Sequence, residues 1–185
     1  MNIKRYLITL ISILVLTAVF GTALASPEIS DNKDFTASGQ GVTTSAEIVD
    51  LQKANLLMDN IDLQFPTYLP DDFKQESVIY NEPPARIKDS LRNFNADSVK
   101  EVTIRYRDQT DSTKWIDYTT KKIEIELVDE NVQQIEINGV QGQYLQSEEK
   151  GIEIYNWFSN GASHFVVAKN GIENSQVLNF VNSIK

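Results

Sequence analysis

The middle of the chain alternates between apolar and polar positions with a period of two residues. The segments "EVTIRYR" at 101–107 and "KIEIEL" at 122–127 show the alternation most clearly. Successive side chains of a strand point to opposite faces, so each segment predicts a strand with one buried and one wet side. Such strands favour an antiparallel sheet. Further strands are predicted at about 75–80, 115–119, 132–137, 141–146, 152–158 and 162–169.

Helical spacing precedes and follows this region. Thr44-Ser45-Ala46-Glu47 fits a capping box and predicts a helix over about 44–59, which the prolines of the 63–73 segment end. The C-terminal "SQVLNFVNSIK" predicts a closing amphipathic helix, and 83–94 a short one. The order of elements predicts one α+β domain at 44–185. In it, an antiparallel sheet of about six to eight strands carries an N-terminal and a C-terminal helix on one face. The apolar positions of the two terminal helices are Ile48, Leu51, Ala54, Met58 and Ile61, then Val177, Val181 and Ile184 with Leu178 and Phe180 beside them.

The N-terminus has the pattern of an export signal. Residues 1–25 place Lys4 and Arg5 before an apolar run that closes on Ala23-Leu24-Ala25. They are interpreted as a secretory signal peptide or, if uncleaved, as a membrane anchor. Residues 26–43 are small and polar without periodicity and are interpreted as a flexible linker. The expected location is therefore secreted or extracytoplasmic.

Two Asn-Gly pairs lie between strand-like runs, at Asn138-Gly139 and Asn160-Gly161. Both central residues of a type I′ hairpin turn need positive φ, which suits Asn-Gly. A two-residue turn at 160–161 places Trp157 opposite His164 and Tyr155 opposite Val166. Ser163 and His164 then point to opposite faces, so they cannot form a nucleophilic pair.

The face of this hairpin that carries Tyr155, Trp157 and His164 is too apolar to be simply wet. Either another part of the chain covers it, or it is an exposed aromatic patch that meets a ligand or partner. Tyr155, Trp157 and His164 are the predicted binding residues if the second interpretation holds. Catalytic residues, metal ligands and cofactors are not predicted.

Charge and composition narrow the possible functions. The chain has a net charge of −9 and no cysteine, which argues against nucleic acid as a partner and excludes disulfides and thiolate chemistry. Membrane contact is expected only through the N-terminal segment. Asp108, Asp111 and Asp117 miss the calcium-loop spacing and are interpreted as hairpin residues. A hydrolase would require two carboxylates about 5–9.5 Å apart in a cleft.

The stretches "FPTYLPDDFKQESV" at 65–78 and "EIYNWFSNGASHFVVAKNG…VLNFVNSIK" at 153–185 resemble the bacterial extracytoplasmic family known as domain of unknown function 4367. The matching features are Pro66 to Pro70, Trp157, Gly161 and Ser183-Ile184, over roughly residues 45–185. The resemblance implies an exported, non-catalytic domain, often tethered to the membrane and sometimes attached to regulators of sigma factors or of sporulation. Members often have an aromatic residue at the position of His164.

The function expected from the sequence is that of an exported, non-catalytic binding or regulatory domain that engages a protein or envelope component. The alternative is a lipid or lipoprotein carrier with an apolar gap between a curved sheet and its helices. A ligand-sized gap under the helices favours the carrier, and a filled core favours the binding domain.

Overall fold

The computed structural model describes residues 45–58, 61–82, 100–169 and 171–185. The predicted signal segment, the linker and the short helix at 83–94 lie outside them. The described residues form eight strands and two helices. In chain order these are β1 (Ser45–Ile48), α1 (Leu51–Leu57), β2 (Phe73–Glu82), β3 (Glu101–Asp108), β4 (Trp115–Lys121), β5 (Gln133–Ile137), β6 (Val140–Ser147), β7 (Ile152–Ser159), β8 (Ala162–Lys169) and α2 (Asn174–Asn182).

The eight strands form one antiparallel sheet in the order β1-β2-β3-β4-β8-β7-β6-β5. The predicted α+β class with an antiparallel sheet is therefore confirmed. All neighbours except β4 and β8 follow one another along the chain, so the sheet consists of two meanders joined edge to edge. The edges of the sheet are β1 and β5.

Both Asn-Gly turns adopt the predicted geometry. Asn138 and Gly139 have φ of 52° and 78°, and Asn160 and Gly161 have φ of 51° and 77°. The register of β7 and β8 pairs Trp157 with His164, as the two-residue turn requires. Both hairpins therefore follow from local turn chemistry.

The N-terminal helix is shorter than predicted, and the predicted capping box at 44–47 was wrong. Residues 45–48 form strand β1, which pairs with residues 79–82 of β2. The helix begins only after Asp50, whose carboxylate accepts a hydrogen bond from the backbone N–H of Lys53 at 2.7 Å. Pairing with the edge of the sheet satisfies the backbone of 45–48 better than a further helical turn. Ala54 and Met58 of the predicted apolar face are buried, whereas Ile48 is exposed.

The sheet curves around α2. The ring of Phe180 packs edge-on against Tyr106 of β3, with 5.2 Å between ring centroids. The side chain of Asn138, next to β5, donates to the carbonyl oxygen of Ile184 at 3.2 Å. Strands β3 and β5 are five positions apart in the sheet, about 24 Å if it were flat. One short helix reaches both because the sheet bends, and Ala54 and Met58 of α1 join the same core.

The end of the chain is fixed against the proline segment. Phe65 and Lys185 exchange two backbone hydrogen bonds of 3.1 and 3.2 Å, and Thr67 N–H donates to the carbonyl oxygen of Ser183. Pro66 and Ile184 form an isolated bridge. The segment around Pro66 is therefore a short extended clamp that holds the C-terminus of α2 over the sheet.

Residues 122–127 are not a strand of the sheet, so that prediction was wrong. They form an extended strap across the second face of the sheet, where Ile125 joins a smaller apolar cluster with Trp115, Phe165 and Val167. The strap has the alternation of a strand but pairs with no strand in the described part of the chain, and side chains of the sheet bind its backbone instead. These are Ser163, Asn156 and Gln143, which bind the backbone of Ile125 and Leu127.

The second face of β3 and β4 carries a polar ladder. Direct cross-strand neighbours pair with one another: Glu101 with Lys121, Thr103 with Thr119, and Arg105 with Asp117. The guanidinium of Arg105 donates to both carboxylate oxygens of Asp117, at 2.7 and 2.6 Å. The charges of this face are neutralised within the sheet, as expected for buried ionic groups.

Candidate functional site

The three residues predicted for binding lie inside the protein. Tyr155, Trp157 and His164 are 5%, 2% and 1% exposed. The rings of Trp157 and His164 stack with 5.1 Å between centroids, and the ring of Tyr118 of β4 lies nearly parallel to both, 6.1 Å from His164 and 6.5 Å from Trp157. Of the two interpretations of this hairpin face, the structure therefore agrees with the first, in which another part of the chain covers it. A partner at the surface of this fold does not touch these residues.

Two hydrogen bonds fix the imidazole of His164. Its Nε2 lies 3.3 Å from the carbonyl oxygen of Ser159, which can only accept, so Nε2 carries the hydrogen. Nδ1 therefore accepts the hydroxyl hydrogen of Tyr118, at 2.8 Å. Burial lowers the pKa of His164. The lowered pKa favours the neutral ring, and both nitrogens are occupied, so this imidazole is not free to act as a base.

The serine beside His164 has a structural role. Ser163 points to the other face, where its Oγ accepts the backbone N–H of Ile125 in the strap at 2.9 Å. The predicted separation of Ser163 from His164 is therefore confirmed.

Asp108 and Asp111 behave as the hairpin-loop interpretation predicted, whereas Asp117 lies buried within strand β4. Asp108 accepts from the backbone and side chain of Thr110, and Asp111 accepts likewise from Thr113. These hydrogen bonds lower the pKa of both carboxyls. Asp117 is engaged by Arg105. In the described ranges there is no cluster of three His, Cys, Asp or Glu side chains that could hold a metal ion.

Glu153 is a buried carboxylate that the sequence analysis did not single out. It is 3% exposed, and its Oε2 accepts the hydroxyl hydrogen of Tyr155 at 3.1 Å. Burial raises the pKa of Glu153. The sequence could have predicted its burial, because the alternation along this strand places Glu153 on the same face as Tyr155 and Trp157. In the described part of the chain its hydrogen-bond partner is a tyrosine, whereas glycoside hydrolysis uses a pair of carboxyl groups.

The exposed surface around α1 is a different kind of site. Two open depressions adjoin there: one is lined by residues 48–52 and 75–78, the other by Leu51, Gln52, Asn55, Asp62, Leu63 and Phe65. They share Leu51 and Gln52 and form one continuous surface, called here the α1 groove. Ile48 at its rim is 77% exposed, and Leu56, one turn beyond Gln52, is 71% exposed.

The α1 groove is lined by apolar and polar residues in similar numbers, and its charged lining residues are acidic. Its walls contain Asp50, Glu76 and Asp62 and no lysine or arginine. Asp50 caps α1, and Glu76 binds Arg107 at 2.7 Å. Lys53, close to the rim, forms an ion pair with Glu47. The sequence does not predict this site, because the spacing of Ile48 and Leu51 fits the buried stripe of one long helix.

Comparison with known proteins finds no relative of this chain. No family model matches the chain, and neither a curated protein nor a solved structure matches it. Among the described residues, neither helix has the length and apolar character needed to cross a bilayer.

Proposed function

We propose that this chain is an exported, non-catalytic binding domain that engages a protein partner through the α1 groove. The observation that carries the proposal is the exposure of Ile48 and Leu56 beside a groove whose mixed lining includes Leu51, Leu63 and Phe65. Single exposed apolar residues are ordinary, but several exposed apolar residues grouped around one depression are typical of a protein interaction site. The export signal predicted at 1–25 supports a location outside the cytoplasm.

The packing of α2 supports a binding domain over a carrier. Val177, Phe180 and Val181 are 0% exposed and meet the sheet directly. Tyr106, Tyr118 and Trp157 fill the concave face beneath the helix. An acyl chain needs an apolar gap at this place, and the aromatic side chains occupy that space. The curvature of the sheet is explained by the contacts that it makes with α2.

The test is photo-crosslinking in the native cells. A photoreactive amino acid replaces Leu56, and the matched control replaces Leu178, an exposed leucine on α2 that is 42% exposed. The proposal predicts one recurrent protein adduct from position 56 and not from position 178. It also predicts that Leu51→Asp, in the floor of the groove, removes the adduct. Equal adducts from both positions, or only lipid adducts, would contradict the proposal.

A further inference from the structure

Strand β2 is longer than the strand that covers its edge. β2 runs over ten residues, but β1 pairs only with its last four, residues 79–82. One more hydrogen bond, from Val49 N–H to the carbonyl oxygen of Val78 at 3.0 Å, ends the contact. On the side that faces β1, residues 73–77 of β2 have no strand partner in the described part of the chain.

The start of α1 explains why this edge is uncovered. The chain leaves the sheet after Ile48, and Asp50 caps the helix two residues later. Leu51 and Gln52, in its first turn, stand beside residues 75–78 of β2, and the first depression of the α1 groove lies between them. A groove between a helix and an open strand edge is the geometry in which proteins bind extended peptides by strand addition.

We propose that an extended segment of a protein partner adds to β2 beside residues 73–77, in line with β1. This inference rests on the proposed function, because it assigns the binding mode of the same groove. Five strand residues span about 17 Å. The register shifts between Gln75 and Ser77, and the N–H of Phe73 already donates to the carbonyl oxygen of Pro70, so the segment pairs over at most about four residues. Backbone hydrogen bonds to β2 hold the segment, and alternate side chains enter the groove beside Ile48 and Leu51.

The walls of the groove specify the chemistry of that segment. Ile48, Val49 and Leu51 favour apolar side chains at alternate positions. Asp50 and Asp62, together with the net charge of −9, favour lysine or arginine at the others, whereas Glu76 is already paired with Arg107. A second copy of this chain is the less suitable occupant, because it brings the same negative charge to the interface. The partner segment is therefore apolar and basic.

The test is an NMR titration of the full mature chain with synthetic peptides. The probe alternates valine and lysine over about eight residues. One control replaces its lysines by glutamate, and another methylates alternate backbone nitrogens, which removes donors without changing the side chains. The lysine peptide is expected to shift the amide signals of residues 73–77 and to slow their hydrogen exchange, with no effect on the other sheet edge, β5. The glutamate peptide is expected to bind about tenfold more weakly at low salt.

A pair of lysine substitutions on the two edges provides a second measurement. Gln75 on β2 and Gln134 on β5 are both exposed, so both variants should fold. Gln75→Lys is expected to weaken binding of the lysine peptide about two- to fivefold. Gln134→Lys is expected to leave that binding unchanged.

Three results would overturn the inference. The first is equal binding of the methylated peptide, the second is a shift confined to β5, and the third is a shift of residues 73–77 with protein concentration alone. If position 56 still crosslinks to a protein in cells, any of these refutes strand addition and leaves the proposed function standing. Loss of that crosslink refutes the proposed function itself.

Discussion

Tyr118 donates its hydroxyl hydrogen to Nδ1 of His164 at 2.8 Å, from a neighbouring strand of the sheet and inside the core. Both side chains are 1% exposed. Each polar group therefore satisfies the hydrogen-bonding capacity of the other at a place that water does not reach. The only histidine of the sequence thus has a structural role.

Acid should destabilise the protein through His164. Burial lowers the pKa of this ring below its ordinary value of 6.5, so the unfolded chain binds the proton at a higher pH than the folded chain does. The free energy of unfolding should therefore fall as the pH drops below about 6.5, by at most about 1.4 kcal/mol per pH unit. Urea unfolding at several pH values measures it. The double variant Tyr118→Phe/His164→Phe is the control, and parallel profiles for both proteins would contradict the assignment.

A double-mutant cycle should show coupling between Tyr118 and His164. Tyr118→Phe leaves Nδ1 without a donor, and His164→Phe leaves the buried hydroxyl without an acceptor. Each single variant should lose about 1–3 kcal/mol of unfolding free energy. The double variant removes both groups and should lose less than the sum of the single losses. Denaturant unfolding of the four proteins gives the coupling energy, and strict additivity would show that the hydrogen bond has no energetic role.

The strap should loosen when Gln143 is shortened. The amide of Gln143 accepts from the backbone N–H of Leu127 at 2.8 Å and donates to its carbonyl oxygen at 3.2 Å. Gln143→Ala should cost about 1–3 kcal/mol and speed hydrogen exchange at Leu127. Gln141→Ala, on the same strand but exposed, is the control. Unchanged exchange at Leu127 would mean that apolar packing alone holds the strap.

Gly142 should not tolerate alanine. A Cβ at this position would lie 2.8 Å from Cδ1 of Ile137 and 2.9 Å from the backbone oxygen of Asn156. The side chain of Ile137 can rotate, but the backbone of β7 must move, so Gly142→Ala should cost about 1–3 kcal/mol. Thermal unfolding measures the loss, again with Gln141→Ala as reference. A melting temperature equal to wild type would show that β6 and β7 separate without cost.

The elements that sequence analysis predicted well are those fixed by local chemistry. Asn160-Gly161 sets its own turn and thereby the pairing of Trp157 with His164. The strap at 122–127 has the apolar–polar alternation of a strand. That alternation shows only that an extended segment has one buried and one exposed face, not that it is hydrogen-bonded to a neighbouring strand. Residues 45–48 were assigned to a helix because their pairing with β2 is a contact distant along the chain.

The candidate site was harder to predict than the fold. Tyr155, Trp157 and His164 form an apolar face in the sequence, and whether such a face is covered depends on where α2 packs. Ile48 fits a helical stripe by spacing, yet it lies at the rim of the α1 groove. The groove exists because β1 ends before β2 does, and no periodicity encodes that difference in length.

The most direct test compares the groove with the interior in the same cells. Crosslinking from position 56 is measured in the wild type, in Leu51→Asp and in Tyr118→Phe/His164→Phe, each at equal amounts of folded protein. If the α1 groove is the binding surface, Leu51→Asp abolishes the protein adduct and the double variant retains it. The reverse pattern, with the adduct lost on changing the buried pair and kept in Leu51→Asp, would contradict the account.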